Sequence, residues 1–367
     1  MKKILFYLLI GSSFIAQSCI NNNEDPVAVP PSQGKIVDPS IGGDKEPNQV
    51  WIDLSDVNDD GTPKQTVNVR TDWDLAFYSG NNGFKVILNS SITMAAAKIP
   101  NVTDIAAVKD SDLTALKAKV KVGNYNPANS IYVDDVTGNF PSGYTAIEGI
   151  AANDAENGVY LVNMGKELYV GNVALGSVST GGADRGWMKI QVVRSGEGYK
   201  IKYGGLNDTT LKEAIISKKS NYNYTFYSLK EGKEVSIQPE KNKWDISFSV
   251  FTNLIEGAGS YSYADFVLTN NMGNVGAYEV KVASGSTIEA FNNFEKADVV
   301  DSKLVYNDQR VIGGGWREVG PSGYQVIGNV FYVIKDAEGT YYKLRFTRLT
   351  SSEGVRGHSS FQYKALK

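Results

Sequence analysis

Apolar and polar residues alternate along much of this chain, which is the pattern of half-buried β-strands. In TDWDLAFYSG, residues 71–80, Trp73, Leu75 and Phe77 occupy every second position. Successive side chains of a strand point to opposite faces, so this spacing predicts a single apolar face that includes Trp73. A similar stretch, NKWDISFSVF, returns downstream with Trp244 in the same place. We expect each tryptophan to begin a strand and to be buried in a hydrophobic core.

Further apolar stretches, each bounded by Gly, Asn, Asp or Pro, predict a fold rich in short strands. Two hairpins are expected, one across RSGEG at 194–198 and one across the turn Asp336–Gly339, where Gly339 can take a positive φ. The first half should begin with a meander of four strands, QVWIDLS, TVNVR, TDWDLAFYS and GFKVILNSS.

Helical spacing is confined to two short stretches. Between Val102 and Val120, apolar residues recur at helical intervals, and Asp110 or Ser111 is a suitable N-cap. A second short helix is predicted at TTLKEAIISKK, residues 209–219. The chain is therefore expected to be mainly β, with a few short helices.

The order of strand patterns in the first half returns in the second half. NYTFYSLKEGKEVSIQPEKNKWDISFS corresponds to the first three strands of the meander, and YSYADFVLTNN corresponds to NGFKVILNSS. A repeat of this length is the size of a domain and not of a solenoid unit. We predict two related antiparallel β-rich domains, residues 49–220 and 221–367.

The composition favours a soluble globular protein and does not favour nucleic-acid binding. Charged residues make up 21% and hydrophobic residues 42%, and the net charge is -3 without a long basic run. The 21 Tyr, 14 Phe and 37 Gly favour strands and turns.

Histidine and cysteine are too scarce for most catalytic and metal sites, since the chain has one of each. A two-carboxylate glycosidase stays formally open, but no pattern pairs the acidic residues. GGGW at 313–316 lacks the helix pattern and the Lys-Ser/Thr pair of a phosphate loop, so it predicts a tight turn beside a core tryptophan. We expect no enzymatic activity.

The N-terminus has the layout of a secretory signal peptide, with two lysines, an apolar run Ile4–Ile10 and small residues before Cys19. The residues before Cys19 resemble a bacterial lipobox, so we predict a lipoprotein signal peptide at 1–19 and lipidation of Cys19. A plain signal peptide with an incidental cysteine is the alternative. Residues 20–48 are polar and rich in Pro and Gly, which predicts a flexible tether.

Several motifs, taken in order, resemble the HmuY family of Bacteroidota heme-binding lipoproteins. In the second half these are WDISF, FVLTNN, GGGW, VFYVIKDAEGTYYKLRF and FQYKAL, and the first half matches more loosely through WDLAF, VILNSS, GVYLVNMG and WMKIQVV. The acidic pair Glu24 and Asp25 also resembles the surface-export signal of Bacteroidota lipoproteins. The resemblance implies a tandem of two HmuY-like domains, anchored by lipid to the outer membrane and facing the cell exterior.

The resemblance also implies heme as the cofactor, held by a pair of His or Met ligands, one of which follows the GGW phrase. Neither residue type stands near Trp316, so no family ligand carries over. The remaining candidate heme ligands are Tyr306, Tyr324, Met272 and Met94. The single histidine, His358, is expected to be an exposed turn residue.

The sequence thus predicts a non-enzymatic surface lipoprotein that binds heme and acts in heme and iron acquisition. Its implied partners are heme or host hemoproteins and a TonB-dependent outer-membrane receptor, and it would contact the membrane only through its lipid anchor. The alternative is an adhesive surface lipoprotein that binds glycan or protein and keeps the fold without ligating heme.

Overall fold

The computed structural model describes residues 34–283, 286–320 and 323–367, and it confirms a mainly β fold with few short helices. The predicted lipidation site, Cys19, lies outside the described residues. The strands are β1 Lys35–Val37, β2 Asn48–Val57, β3 Pro63–Val69, β4 Leu75–Tyr78, β5 Val86–Leu88, β6 Ala95–Lys98, β7 Val159–Asn163, β8 Trp187–Ser195, β9 Gly198–Gly205, β10 Lys212–Ile216, β11 Tyr224–Ser228, β12 Lys233–Val235, β13 Ile246–Ile255, β14 Gly259–Thr269, β15 Gly276–Lys281, β16 Arg317–Gly320, β17 Gly323–Val326, β18 Val330–Lys335, β19 Tyr341–Thr350 and β20 Arg356–Leu366.

Within the described residues, helical structure consists of two short α-helices and several short 3₁₀-helices. The α-helices are α1 Thr114–Lys117 and α2 Thr287–Asn293. The 3₁₀ turns are Arg70–Asp72, Ser90–Ile92, Ile105–Ala107, Asp110–Leu113, Pro127–Tyr132, Asp154–Glu156, Asn271–Gly273, Lys296–Asp298 and Asp301–Lys303. No described helix is long and apolar enough to cross a bilayer.

The strands build two β-sandwiches, each made of a four-stranded and a five-stranded antiparallel sheet. In the first sandwich, the sheet β12-β11-β4-β5 packs on β10-β9-β8-β7-β6, with Phe77 and Val162 in the core between them. In the second, the sheet β14-β13-β2-β3 packs on β1-β20-β19-β18-β15, with Phe248 and Leu344 between them. A separate hairpin, β16-β17, follows the glycine run.

The two sandwiches exchange their N-terminal hairpins. The hairpin β2–β3 precedes β4 in sequence, yet β2 pairs with β13 of the second half, placing Ile52 opposite Ile246. Reciprocally, β11 of the second half pairs with β4, placing Tyr227 opposite Leu75. The predicted meander is therefore wrong at one connection, because β3 does not pair with β4.

Matching hydrogen bonds hold the two exchanged hairpins. The Asp74 carboxylate accepts a hydrogen bond from the Leu229 backbone N–H at 2.7 Å. Its counterpart in the second repeat, Asp245, accepts from the Leu54 N–H at 2.8 Å. The aspartate of each WD phrase thus holds the strand that the other half of the chain contributes.

An aromatic cluster fills the space between the two exchanged sheets. The Trp51 and Trp244 rings meet edge to face with centroids 4.8 Å apart, and Trp73 meets Phe226 at 4.9 Å. Trp73 and Trp244 are 4% and 6% exposed, so both are buried as predicted. The tryptophan side chains do not lie on the same strand face as Leu75 and its counterpart in the second repeat, so the single apolar face predicted for these residues is wrong. Each tryptophan precedes its strand, and its side chain packs in the cluster between the sandwiches.

Several local predictions can be compared with the structure. The stretch 102–120 contains 3₁₀ turns and α1, and both predicted hairpins are present as β8–β9 and β18–β19. The helix predicted at 209–219 is wrong, because Lys212–Ile216 forms strand β10 along the edge of β9. The prediction of a flexible tether at 20–48 is also wrong for residues 34–48, since β1 pairs with β20 and Glu46 is fully buried.

Candidate functional site

A groove of about 370 Å³ lies beside the glycine run Gly313–Gly315, in the second sandwich. Its walls come from the strand pair β13–β14 and from the loop that leads into β16. The lining residues are Asn253, Tyr263, Phe266, Asp308, Arg310, Val311, Ile312, Gly313, Gly314, Gly315 and Arg317.

The glycine run is a tight turn packed against β14, as its sequence predicts. Gly313 has a φ of 54° and pairs with Val267, and a Cβ at this position would come within 2.8 Å of the Arg310 carbonyl oxygen. Trp316 follows it and is fully buried, with its ring stacked 4.0 Å from Phe346. A side chain at residue 313 would therefore strain this turn.

A β-bulge in the β13–β14 pair places the aromatic wall of the groove. The register shifts between Ser249 and Phe251, and Asp265 on β14 has a φ of 49°. An extra residue at a bulge reverses the alternation of side chains that follow it, so Tyr263 and Phe266 come to the same side. Their ring centroids are 5.9 Å apart.

Two guanidinium groups stand at the edges of the aromatic wall. Arg310 makes a two-pronged ion pair with Asp308 at 2.8–2.9 Å and donates to the Asn253 side-chain oxygen at 3.0 Å. The hydrogen bonds that Arg310 donates to the Asp308 carboxylate raise the pKa of Arg310, which keeps it charged. Arg317 donates to the Ala264 carbonyl oxygen and lies 3.6 Å from the Asp265 carboxylate.

A buried charge cluster lies beneath Arg317. Asp265 is paired with both Arg317 and Arg356, and its backbone N–H donates to the two Glu46 carboxylate oxygens at 3.1 Å. Burial raises the pKa of Glu46 well above its ordinary value, and the negative charge of Asp265 acts in the same direction. Of these four residues, Arg317 also lines the groove.

The structure places the four predicted heme ligands outside this groove. Met94 is 1% exposed in the core of the first sandwich, and Met272 packs against the aromatic cluster between the sandwiches. Tyr306 is partly exposed and lies over the backbone of Gly276, and the exposed ring of Tyr324 lies 5.4 Å from the Arg356 guanidinium. Their assignment as ligands stays a prediction.

The groove residues were missed because no local pattern marks them. Tyr263 is one of 21 tyrosines, and only the bulge at Asp265 brings it beside Phe266. A usable signal was present in QRVIGGGWR, where arginines stand on both sides of the glycine run. His358 is exposed as predicted, although it lies in strand β20 and not in a turn. Among the described residues, no group of three or more His, Cys, Asp or Glu side chains is arranged to hold a metal ion.

Comparison with protein families identifies the family. The model of the HmuY family, described as HmuY protein, matches residues 45–219 and again residues 220–363. Because the two matches together cover most of the chain, this protein belongs to the HmuY family and contains the family sequence twice. No curated protein matches the chain.

Several solved structures resemble the chain at low sequence identity. They include apo PinO from Porphyromonas gingivitis at 16% identity, over 48% of this chain and 95% of that one, with a TM-score of 0.22. A protein described as HmuY-like and heme-binding, from Bacteroides vulgatus, has 16% identity over 48% and 90% of the two chains and a TM-score of 0.22. A protein described as a lipoprotein, from Bacteroides fragilis, has 15% identity over 48% and 88%, also with a TM-score of 0.22.

Proposed function

We propose that this protein binds heme in the groove beside Gly313–Gly315. The observation that carries the proposal is the combination, in an HmuY-family chain, of an aromatic wall with two guanidinium groups beside the GGGW turn. Heme is a flat apolar ring that carries two carboxylates, and binding sites of this kind join apolar walls to a few charged groups. The groove volume of about 370 Å³ lies within the range of ligand pockets, roughly 300–1,000 Å³.

The residues of the groove supply each contact that heme requires. The rings of Tyr263 and Phe266 offer an apolar face, and Arg310 and Arg317 would pair with the propionate carboxylates. Among the lining residues, the Tyr263 hydroxyl is the group that can ligate ferric heme iron. The His or Met pair implied by the family resemblance is replaced in this proposal by a single tyrosine.

The proposal extends to a role in heme acquisition at the cell surface. The protein would take heme from host hemoproteins and pass it to a TonB-dependent receptor, without catalysing a reaction. HmuY-family membership supports a binding protein of the lipoprotein kind.

Titration with hemin tests the proposal. The full chain should shift the Soret band of hemin at a one-to-one ratio, and Tyr263→Phe should weaken binding at least tenfold and change the ferric spectrum. Tyr261→Phe is the matched control, because Tyr261 lies on the same strand but does not line the groove. An unchanged Soret band would contradict heme binding, and loss of binding only in Tyr306→Phe or Tyr324→Phe would contradict this location.

One observation favours the alternative function, a glycan-binding surface protein. Tyr125 is 63% exposed, and its ring centroid lies 6.2 Å from that of Tyr261, which is also exposed. Exposed aromatic faces can stack on sugar rings. Binding to a glycan array that is lost in Tyr125→Ala, with no response to hemin, would support this alternative instead.

We also propose that Cys19 carries a lipid that anchors the protein to the outer membrane, facing the exterior. A lipidated cysteine would supply the hydrophobic attachment that the polar residues after it lack. The Cys19→Ser variant should therefore leave the membrane fraction, and protease added to whole cells should cleave the wild-type protein. Retention of the variant in outer membranes would argue against the anchor.

A further inference from the structure

A second cavity lies between the two sandwiches, where the exchanged hairpins meet. It has a volume of about 90 Å³ and is partly open to solvent. Seven aromatic residues dominate its walls, and they come from both halves of the chain. They are Trp51, Trp73, Phe140, Tyr224, Phe226, Trp244 and Phe251.

The three tryptophans around this cavity differ in how their indole N–H groups are satisfied. The Trp51 Nε1–H donates to Asn68 at 2.8 Å, and the Trp73 Nε1–H donates to Gln49 at 2.8 Å. The Trp244 Nε1–H is buried and has no acceptor among the described residues. Leaving a buried donor without a partner is unfavourable, so something in the cavity is expected to accept this hydrogen bond.

The repeat explains why Trp244 lacks an acceptor. The strand registers make Trp73 equivalent to Trp244, and they make Gln49, which accepts from Trp73, equivalent to Tyr224. The second hairpin therefore carries an aromatic ring where the first carries the amide acceptor. This difference leaves a free donor in the wall of the cavity.

A free acceptor faces the same cavity. The Gln238 side-chain oxygen is buried and has no donor among the described residues. The Asp134 carboxylate also lines the cavity, but its oxygens already accept the backbone N–H groups of Leu88 and Ala146. Burial raises the pKa of Asp134 to about 7, so its negative charge is weakened at neutral pH.

These features limit what can bind. The cavity is smaller than the roughly 300–1,000 Å³ of pockets for large ligands, which excludes heme. It is also smaller than the closed apolar cavity of about 150 Å³ that binds benzene, so its guest can be no larger than a single ring that extends through the open side. A sugar ring would bring several hydroxyls that one free donor and one free acceptor could not satisfy.

We propose that the cavity between the two sandwiches binds a small neutral aromatic molecule that carries a hydroxyl or a comparable polar group. Its ring packs among Trp51, Trp73 and Phe226. Its polar group accepts a hydrogen bond from Trp244 Nε1 and donates one to Gln238 Oε1. This site is separate from the groove proposed for heme, because the two cavities share no lining residue.

Phenol and toluene are suitable probes, since they have similar rings and only phenol carries the hydroxyl. Calorimetric titration of the full chain should show saturable binding of phenol and weaker binding of toluene. Trp244→Phe removes the free donor and Gln238→Leu removes the free acceptor, and each should lower the preference for phenol over toluene by about two- to tenfold.

Trp316→Phe is the control, because it removes a buried indole N–H that the Asp265 carbonyl oxygen already accepts and because Trp316 does not line this cavity. It should leave the preference for phenol unchanged, and thermal melting should show that all three variants fold. Saturable binding by neither probe would show that water alone fills the cavity and would overturn the proposal. Equal binding of phenol and toluene, or an unchanged preference in both Trp244→Phe and Gln238→Leu, would overturn it as well.

Discussion

Asp74 and Asp245 follow the two repeated tryptophans, but their electrostatic surroundings differ. Asp74 is fully buried and forms an ion pair with Arg185 at 2.7 Å. Asp245 is also buried and has no ion-pair partner within the part of the chain that the structure describes. Burial raises the pKa of Asp245 to about 8, and nearby carboxylates such as Asp53 add to the effect.

This difference predicts a pH dependence of stability that Asp245 causes. The folded state binds the Asp245 proton more tightly than the unfolded state, whose carboxyl has a pKa near 3.8, so folding is favoured at low pH. The free energy of unfolding should fall as pH rises from about 4 to about 8, by up to about 1.4 kcal/mol per pH unit from this residue. Urea unfolding at several pH values should show a smaller slope for Asp245→Asn than for the wild type.

Asp74→Asn provides the comparison at the equivalent position. It removes one partner of a buried ion pair, so it should destabilise the fold by about 3–5 kcal/mol. If Asp245→Asn kept the full slope of the wild type, the proton on Asp245 would not be responsible for it.

At the scale of strands, the alternating pattern located most elements but could not choose their partners. The phrases WDLAF and WDISF have the same pattern, so a hairpin from either repeat presents suitable side chains to either strand. Ala76 opposite Phe226 and Ser247 opposite Trp51 are equivalent pairs, one in each exchanged sheet. The exchange depends on three-dimensional packing, which the two-residue period of apolar positions does not specify.

The misassigned helix at 209–219 has a similar cause. Its residues suit a helix by local preference, but pairing with β9 satisfies the backbone of Lys212–Ile216 and buries Ile216 in the first sandwich. Tertiary contacts therefore outweighed local propensity. The candidate groove was predictable only in part. The GGGW turn could be read from its sequence, whereas the bulge at Asp265 that brings Tyr263 to it could not.

At the scale of the whole molecule, the exchange makes each sandwich depend on both halves of the chain. The core of the second sandwich contains Val50, Ile52 and Leu54 from the first repeat, and the core of the first contains Tyr227 and Leu229 from the second. A chain that began at Asn221 would lack β2 and β3, which would leave β13 paired with β14 alone. The division into two domains, 49–220 and 221–367, stays a prediction. Strand pairing crosses the boundary between these two repeats.

The repeated tryptophans allow this dependence to be measured. Two independent domains would give two thermal transitions, with Trp73→Ala lowering one and Trp244→Ala lowering the other. Because both side chains lie in the single aromatic cluster between sandwiches that share hairpins, we expect calorimetry to show one transition for the wild type. Each substitution should lower that transition, by about 3–5 kcal/mol in the free energy of unfolding. Val170→Ala is the control, since Val170 is 91% exposed, and it should leave the transition unchanged. Two resolved transitions that respond separately to the two tryptophans would show that the halves fold alone and that the exchanged hairpins do not couple them.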